Sequence, residues 1–170
     1  AVYERHTCAL SGVFQAAGVT RDNVITGLDA AMLGEVFLPK AGGAWTLHQY
    51  FSGNAARPVD APLDHFVLYS SAASLIGSPG QTNYACANAY LDALAAHRSA
   101  QGLPALAMNW GPWAEVGMAV AAEGFTERLA QRGIRAMSPA AGMEAFAAAL
   151  AAPGPQLGIM DIDWDQMPVS

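Results

Sequence analysis

Two apolar runs, DHFVLYSS (Asp64–Ser71) and LPALAMNW (Leu103–Trp110), bracket one long helical pattern from Asn83 to about Gln101 that Gly102 and Pro104 close. Strand, long helix, strand is a βαβ unit, and such a unit lays its two strands parallel in one sheet. The alternation continues on either side. ALSGVFQAAG (Ala9–Gly18) reads as a buried strand ending in a tight turn of small residues. Asp29 to about Phe51 has helical spacing, with Met32, Leu33, Val36, Phe37, Ala44 and Leu47 as its apolar stripe. Pro39 predicts a split or a kink inside that helix, because proline removes a hydrogen bond from its interior. Phe51–Pro62 is loop by composition. Glu123–Arg132 and Pro139–Leu150 read as short helices and Leu157–Trp164 as a fourth strand. The order predicts an α/β fold, a doubly wound parallel sheet with helices on both faces.

The 170 residues are 53% hydrophobic and 13% charged, which suits one globular domain over 1–170, with an irregular lid region at about 112–136. The alanine-rich run Ala145–Ala152 is too short for a membrane span, and Pro153 breaks it. The opening AVYERHTCAL lacks the charged-then-apolar layout of a signal peptide. Cys8 and Cys86 have no metal or redox spacing, so they read as reduced thiols of a cytoplasmic protein. A net charge of −6 with scattered arginines offers nucleic acid no basic patch. His6, His48, His65 and His97 show no paired spacing, and no metal site is expected. Also missing from the sequence is any G-x-G-x-x-G turn of the kind that cradles a dinucleotide's pyrophosphate.

Ligands of open parallel sheets bind beyond the carboxyl ends of the strands. Ala16, Ala17 and Gly18 end the first strand, Ser70 and Ser71 the second, and Asn109 to Trp113 the third, so every notable motif falls on one edge. Tyr84 and Asn88 stand four positions apart (88 − 84 = 4) and share a helix face. A tyrosine titrates near 10, too high to deliver a proton efficiently at neutral pH, and a nearby ammonium lowers that value. Lys40 is the only lysine in the chain. A serine such as Ser71 can hydrogen-bond a carbonyl oxygen as charge grows on it, and Asn88 can fix a water or the lysine. Each residue alone has an ordinary structural explanation. Together, hydroxyl, phenol and cation are the equipment for reducing a ketone with a nicotinamide cofactor. Gly18 would let a flat ring approach the backbone, Gly111-Pro112-Trp113 could offer backbone groups to a nicotinamide amide, and Gly117-Met118-Ala119 could form a lid.

The segments GVFQAAGV (Gly12–Val19), PKAGGAWTLH (Pro39–His48), Phe66–Arg98, Gly102–Ala119 and the closing IDW (Ile162–Trp164) resemble the ketoreductase domains of polyketide synthases, within the short-chain dehydrogenase/reductase superfamily. The serine-to-tyrosine spacing, 84 − 71 = 13, matches that family, and lysine and asparagine stand exchanged relative to simpler reductases, as in its polyketide branch. The resemblance implies Tyr84 as proton donor, Ser71 as carbonyl-orienting group, Lys40 as the cation that lowers the tyrosine pKa and Asn88 as support. It implies NADPH as cofactor, with Ala16, Ala17, Gly18, Ser70, Gly111, Pro112 and Trp113 around it. It implies a β-ketoacyl thioester on an acyl carrier protein as substrate, with Asp22, Ile76, Gln81 and Met118 facing it.

Three departures bear on this expectation. The cofactor-binding first half of the fold is not in the sequence, so the chain reads as the second, catalytic half and is expected to need that N-terminal half for turnover. Gln15 stands where the family usually has histidine, with little catalytic effect expected. The segment between Lys40 and Ser71 is longer than in many modular enzymes, which hints at an iterative or mycobacterial-like relative. Thr20-Arg21-Asp22 keeps only the last aspartate of the Leu-Asp-Asp signature, and Ile76 replaces the tryptophan of the opposite group, so the pattern leans to the B-type alcohol configuration. Cys86 is not the proline of the variant that acts on epimerised chains. Two alternatives are a stand-alone short-chain reductase, against which the lysine–asparagine exchange argues, and a non-catalytic fragment of a synthase, against which the intact serine–tyrosine pair argues.

Overall fold

The computed structural model describes residues 10–52, 63–116 and 124–167. Four parallel strands form its centre: β1 (Gly12–Gln15), β2 (His65–Ser71), β3 (Leu106–Trp110) and, after a further short strand, β5 (Gln156–Ile159), in the spatial order β1-β2-β3-β5. The predicted parallel α/β sheet is the one observed. β3 is buried along its whole length, as a strand covered on both faces must be.

The pleat sorts the core into two layers. Phe66 and Leu68 of β2 and Ala107 of β3 face one way, against Ala44, Leu91, Leu94 and Ala95. Val67, Met108 and Trp110 face the other way, against Ala149, Phe146 and Leu150. The first helical layer is α1 (Ala30–Phe37), α2 (Gly43–Phe51) and α4 (Thr82–Ala100), the last preceded by a single turn, α3 (Ala73–Ile76). The second layer is α6 (Pro139–Ala151), reached through α5 (Phe125–Ala130). Each fully buried Leu or Phe contributes about 1.5–3 kcal/mol.

Local chemistry sets the helix ends. The Asp29 carboxylate accepts from Met32 N at 2.8 Å and caps α1. Ser138 caps α6 in the same way, with Pro139 in the first turn. α4 stops at a left-handed Gly102 (φ +69°), where Gly102 N donates to Ser99 O and Leu103 N to Arg98 O, a Schellman closure. Between α1 and α2 the helix does not break at Pro39. It widens into a π turn, Leu38–Gly42. Proline cannot donate to the carbonyl four residues back and its ring collides there, and a wider turn accommodates both restrictions.

One expected element is different. Leu157–Trp164 is not a single strand: β5 ends at Ile159, and β6 (Asp161–Ile162) leaves the sheet to pair antiparallel with β4 (Ile134–Arg135). The Arg135 guanidinium fixes that small sheet by donating to Asp161 Oδ1 at 2.9 Å. The helix expected over Glu123–Arg132 is observed as α5, and the short strand β4 also falls within the 112–136 region. Cys8, the Phe51–Pro62 loop from residue 53 onward and Gly117-Met118-Ala119 lie outside the described residues. Among the described residues no helix is long and apolar enough to cross a membrane, and no cluster of metal-ligating side chains occurs.

Candidate active site

The register of the sheet brings the expected residues level with one another. Ser70 pairs with Asn109 and Ser71 with Trp110, so β2 and β3 end flush. Beyond those ends lies a cleft of about 390 Å³. Lys40, Ser70, Ser71 and Tyr84 all line it. So do Ala16 and Gly18 after β1, Gly111, Pro112 and Trp113 after β3, and the substrate-side candidates Asp22, Ile76 and Gln81. Ala17 is exposed at the strand end and does not line the cleft, and Asn88 is fully buried beneath it. Met118 lies outside the described residues.

Ser71 stands where β2 turns into α3. Its Oγ accepts from Ala73 N at 3.2 Å, which caps that short turn and leaves the hydroxyl proton free to be donated elsewhere. Tyr84 sits in the first turns of α4. Burial pushes its phenol above the ordinary value of 10.0, hydrogen bonding from Ser71 and Asn88 pulls it back, and the negative charge of Asp22 adds to the rise. Asn88, one turn later, donates through Nδ2 to the Tyr84 carbonyl at 2.8 Å. Its Oδ1 is buried without a partner among the described residues.

The π turn carries Lys40, which is 3% exposed. Its ammonium donates to the Tyr69 carbonyl at 3.0 Å and lies 5.3 Å from the centre of the Tyr84 ring. Burial lowers its pKa from 10.5 to about 8, and Asp92 opposes that fall. A cation that titrates near neutrality can both stabilise charge and pass on a proton.

Gln15 is the buried end residue of β1. Its Nε2 donates to the Pro39 carbonyl at 2.7 Å, so the residue standing in place of the usual histidine holds the turn that carries Lys40. A Cβ on Gly18 would come within 2.9 Å of Lys40 Cε, so a larger residue there would push against the Lys40 side chain. Asp22 accepts from Gln81 Nε2 at 2.9 Å, and Asn83 Nδ2 donates to Arg21 O at 2.8 Å. The two segments that carry the stereocontrol candidates are therefore tied to each other.

On the far side, Gly111 N donates to Ile159 O at 2.8 Å and Met137 N to Pro112 O at 2.9 Å. Those two backbone groups of the Gly-Pro-Trp turn are engaged within the fold. Sequence reasoning missed Tyr69, whose carbonyl receives Lys40, and the Asp92–Asn109 pair under the cleft floor. No local sequence pattern marks either of them.

The residues present fit the nicotinamide and ribose end of a dinucleotide. They offer a close-approach glycine, an ammonium with donors beyond the one given to Tyr69, and an orphaned buried acceptor at Asn88 Oδ1. The phosphate end has no glycine-rich turn in this sequence to meet it.

Known proteins are similar to this chain in sequence and fold. The sequence profile of the KR domain matches residues 1–115, which include Lys40, Ser71, Tyr84 and Asn88. Polyketide synthase GfsB of Streptomyces halstedii is 45% identical over 157 residues, which are 92% of this chain and 3% of that protein. The phenolphthiocerol synthesis polyketide synthase type I Pks15/1 of Mycobacterium bovis is 45% identical over 142 residues, 82% of this chain and 6% of that protein. A solved structure of A-type ketoreductases from a modular polyketide synthase superposes with a TM-score of 0.83 at 39% identity, covering 92% of this chain and 32% of that one. The chain thus spans less than a tenth of those synthases and about a third of that solved ketoreductase.

Proposed function

The chain belongs to the KR domain family, the ketoreductases of polyketide synthases, and on that premise we propose its reaction: NADPH-dependent reduction of a β-ketoacyl thioester, held on an acyl carrier protein, to the β-hydroxyacyl thioester. The observation that carries this reading is the convergence of Ser71, Tyr84 and Lys40 on one cleft at the carboxyl edge of the sheet.

A nicotinamide held in this cleft would supply the hydride to the carbonyl carbon. This chain's residues do the rest. The Ser71 hydroxyl donates to the carbonyl oxygen, with a bond that strengthens as negative charge develops. The Tyr84 phenol delivers the proton to the same oxygen, so hydride and proton together complete the alcohol. Lys40, titrating near 8 and 5.3 Å from the centre of the Tyr84 ring, relays a proton toward the phenol. The expected lowering of the tyrosine pKa by Lys40 is not found, because burial raises it. Asn88 Oδ1 accepts from the water or ammonium that completes that relay. Gly18 and Ala16 on one side and the Gly111–Trp113 turn on the other hold the nicotinamide end, with Ser70 beside them, while Ala17 does not line the cleft. No G-x-G-x-x-G turn for the phosphate end is present in these residues, and we propose that turnover needs an N-terminal half of the domain to supply one.

Asp22, held by Gln81, lines the same cleft as Ile76. This local pattern supports the B-type configuration. The A-type solved structure shares the fold, which does not discriminate between product configurations.

Tyr84→Phe in the complete protein tests the reading. Reduction of a β-ketoacyl thioester should be abolished while NADPH fluorescence titration is unchanged. Turnover surviving that change removes Tyr84 as proton donor. Titrating NADPH into the 170-residue chain, with and without the preceding residues, tests the divided cofactor site.

A further inference from the structure

A carboxylate with no part in the proposed reduction lies under the floor of the cleft. Asp92 stands on α4, eight residues after Tyr84 (92 − 84 = 8), about two helical turns. Both of its oxygens lie 2.9 Å from Asn109 Nδ2, and Oδ2 accepts from Ser74 Oγ at 2.7 Å. The same Asn109 nitrogen reaches Ser70 Oγ at 3.1 Å, and Asn109 Oδ1 accepts from Gln156 at 3.2 Å. Ser70 Oγ in turn donates to the Asn88 carbonyl at 3.3 Å. Ser74 Oγ also lies 2.8 Å from the Ser71 carbonyl. Ser74 has one hydroxyl proton for two acceptors, and the charged one attracts it more strongly. Apart from the bond that ties Asn109 to Gln156 on β5, the branches from Asp92 end on segments that present a reacting group. Ser70 and Ser74 flank Ser71, Asn88 supports Tyr84, and β2 supplies the carbonyl that receives Lys40.

We propose that Asp92 is a positioning residue for the reduction, holding the β2 end that presents Ser71 through Asn109 and Ser74. The proposal rests on the reductase reading. The titratable groups around Lys40 are Asp92 and Tyr84 from α4 and Tyr69 from β2, while Asp22 acts on Tyr84. Among them Asp92 is the charge that opposes the effect of burial on Lys40.

Asp92→Asn in the complete protein tests this, because it keeps the shape and an acceptor oxygen and deletes the charge. kcat should fall roughly fivefold while NADPH affinity holds, since a hydrogen bond to a charged group is about twice as strong as a neutral one and Asn109 and Ser74 would lose that charged partner. Ser74→Ala removes one branch of the network and should lower kcat by a smaller factor, again without loss of NADPH affinity. A folded Asp92→Asn protein that binds NADPH and keeps the parent's kcat overturns the proposal. If Asp92→Asn does not fold, Ser74→Ala decides: a folded Ser74→Ala protein with the parent's kcat overturns it. Failure of the reductase reading is separate, because it appears as an inactive parent protein or an active Tyr84→Phe variant.

Discussion

The side-chain amide of Gln15 donates to the carbonyl of Pro39 at 2.7 Å, tying the end of β1 to the π turn that carries Lys40. The two residues are 24 apart in sequence, and Pro39 immediately precedes Lys40.

Gln15→Leu removes that donor and leaves the Pro39 carbonyl without it. We expect a loss of about 1–3 kcal/mol of stability, the usual cost of orphaning a buried polar group. kcat should fall more than KM rises, because Lys40 acts on the proton step. Denaturant titration together with steady-state kinetics on the complete protein checks both, and an unchanged kcat would show that the turn holds Lys40 without Gln15.

Lys40 lowers stability in the service of function. Its pKa in the fold, about 8, lies below the ordinary 10.5, so folding at neutral pH buries an ammonium against its preference. Between about 8 and 10.5 the unfolded chain still holds a proton that the folded one has released, so stability rises with pH across that window. Lys40→Met should therefore stabilise the protein at pH 7 by roughly 1–3 kcal/mol, after allowing for the lost bond to Tyr69. It should also abolish the rise between pH 8 and 10.5, and with it the reductase activity. Denaturation midpoints at pH 7 and pH 10 provide the check. A variant no more stable than the parent at pH 7 contradicts the burial argument.

Gly142 on α6 is pressed against the Trp113 ring, and a Cβ there would lie 2.3 Å from Trp113 Cη2. Gly142→Ala must displace a ring that walls the cleft. Overpacking of this kind costs about 1–3 kcal/mol. NADPH affinity should fall and tryptophan fluorescence should shift. An unshifted spectrum with full affinity would mean that α6 moves and Trp113 does not.

Gly102 supplies a contrast. Its φ is +69° and nothing lies within 4 Å of the Cβ position, so Gly102→Ala meets only a backbone penalty. The expected cost is about 1–2 kcal/mol, with kcat unchanged. Thermal melts and kinetics measured side by side would show whether the end of α4 is coupled to the site.

Much of this architecture is legible in local sequence. The apolar runs of β2 and β3 and the helical pattern between them correspond to observed elements, because a strand buried on both faces and a helix with one buried stripe leave distinct periodicities. The Tyr84–Asn88 pair follows from helical periodicity alone. Leu157–Trp164 misled for the same reason. Its apolar alternation runs on past Ile159, but the choice of β6 to pair with β4 is made by a hydrogen-bonding partner 26 residues away, Arg135 with Asp161.

What the amino-acid sequence determined by itself was the set of chemical groups, their spacing along α4 and the edge of the sheet to which they belong, since these depend on periods of two and 3.6 residues. What only the tertiary structure decided was the electrostatic state of the site. Whether Lys40 titrates near 8 or above 10, and whether Asp92 sits beneath Ser71, depends on burial and on contacts such as Asp92 to Asn109. The reason is physical: the cost of burying a charge, and the partner that offsets it, come from neighbours that the fold brings together from distant parts of the chain.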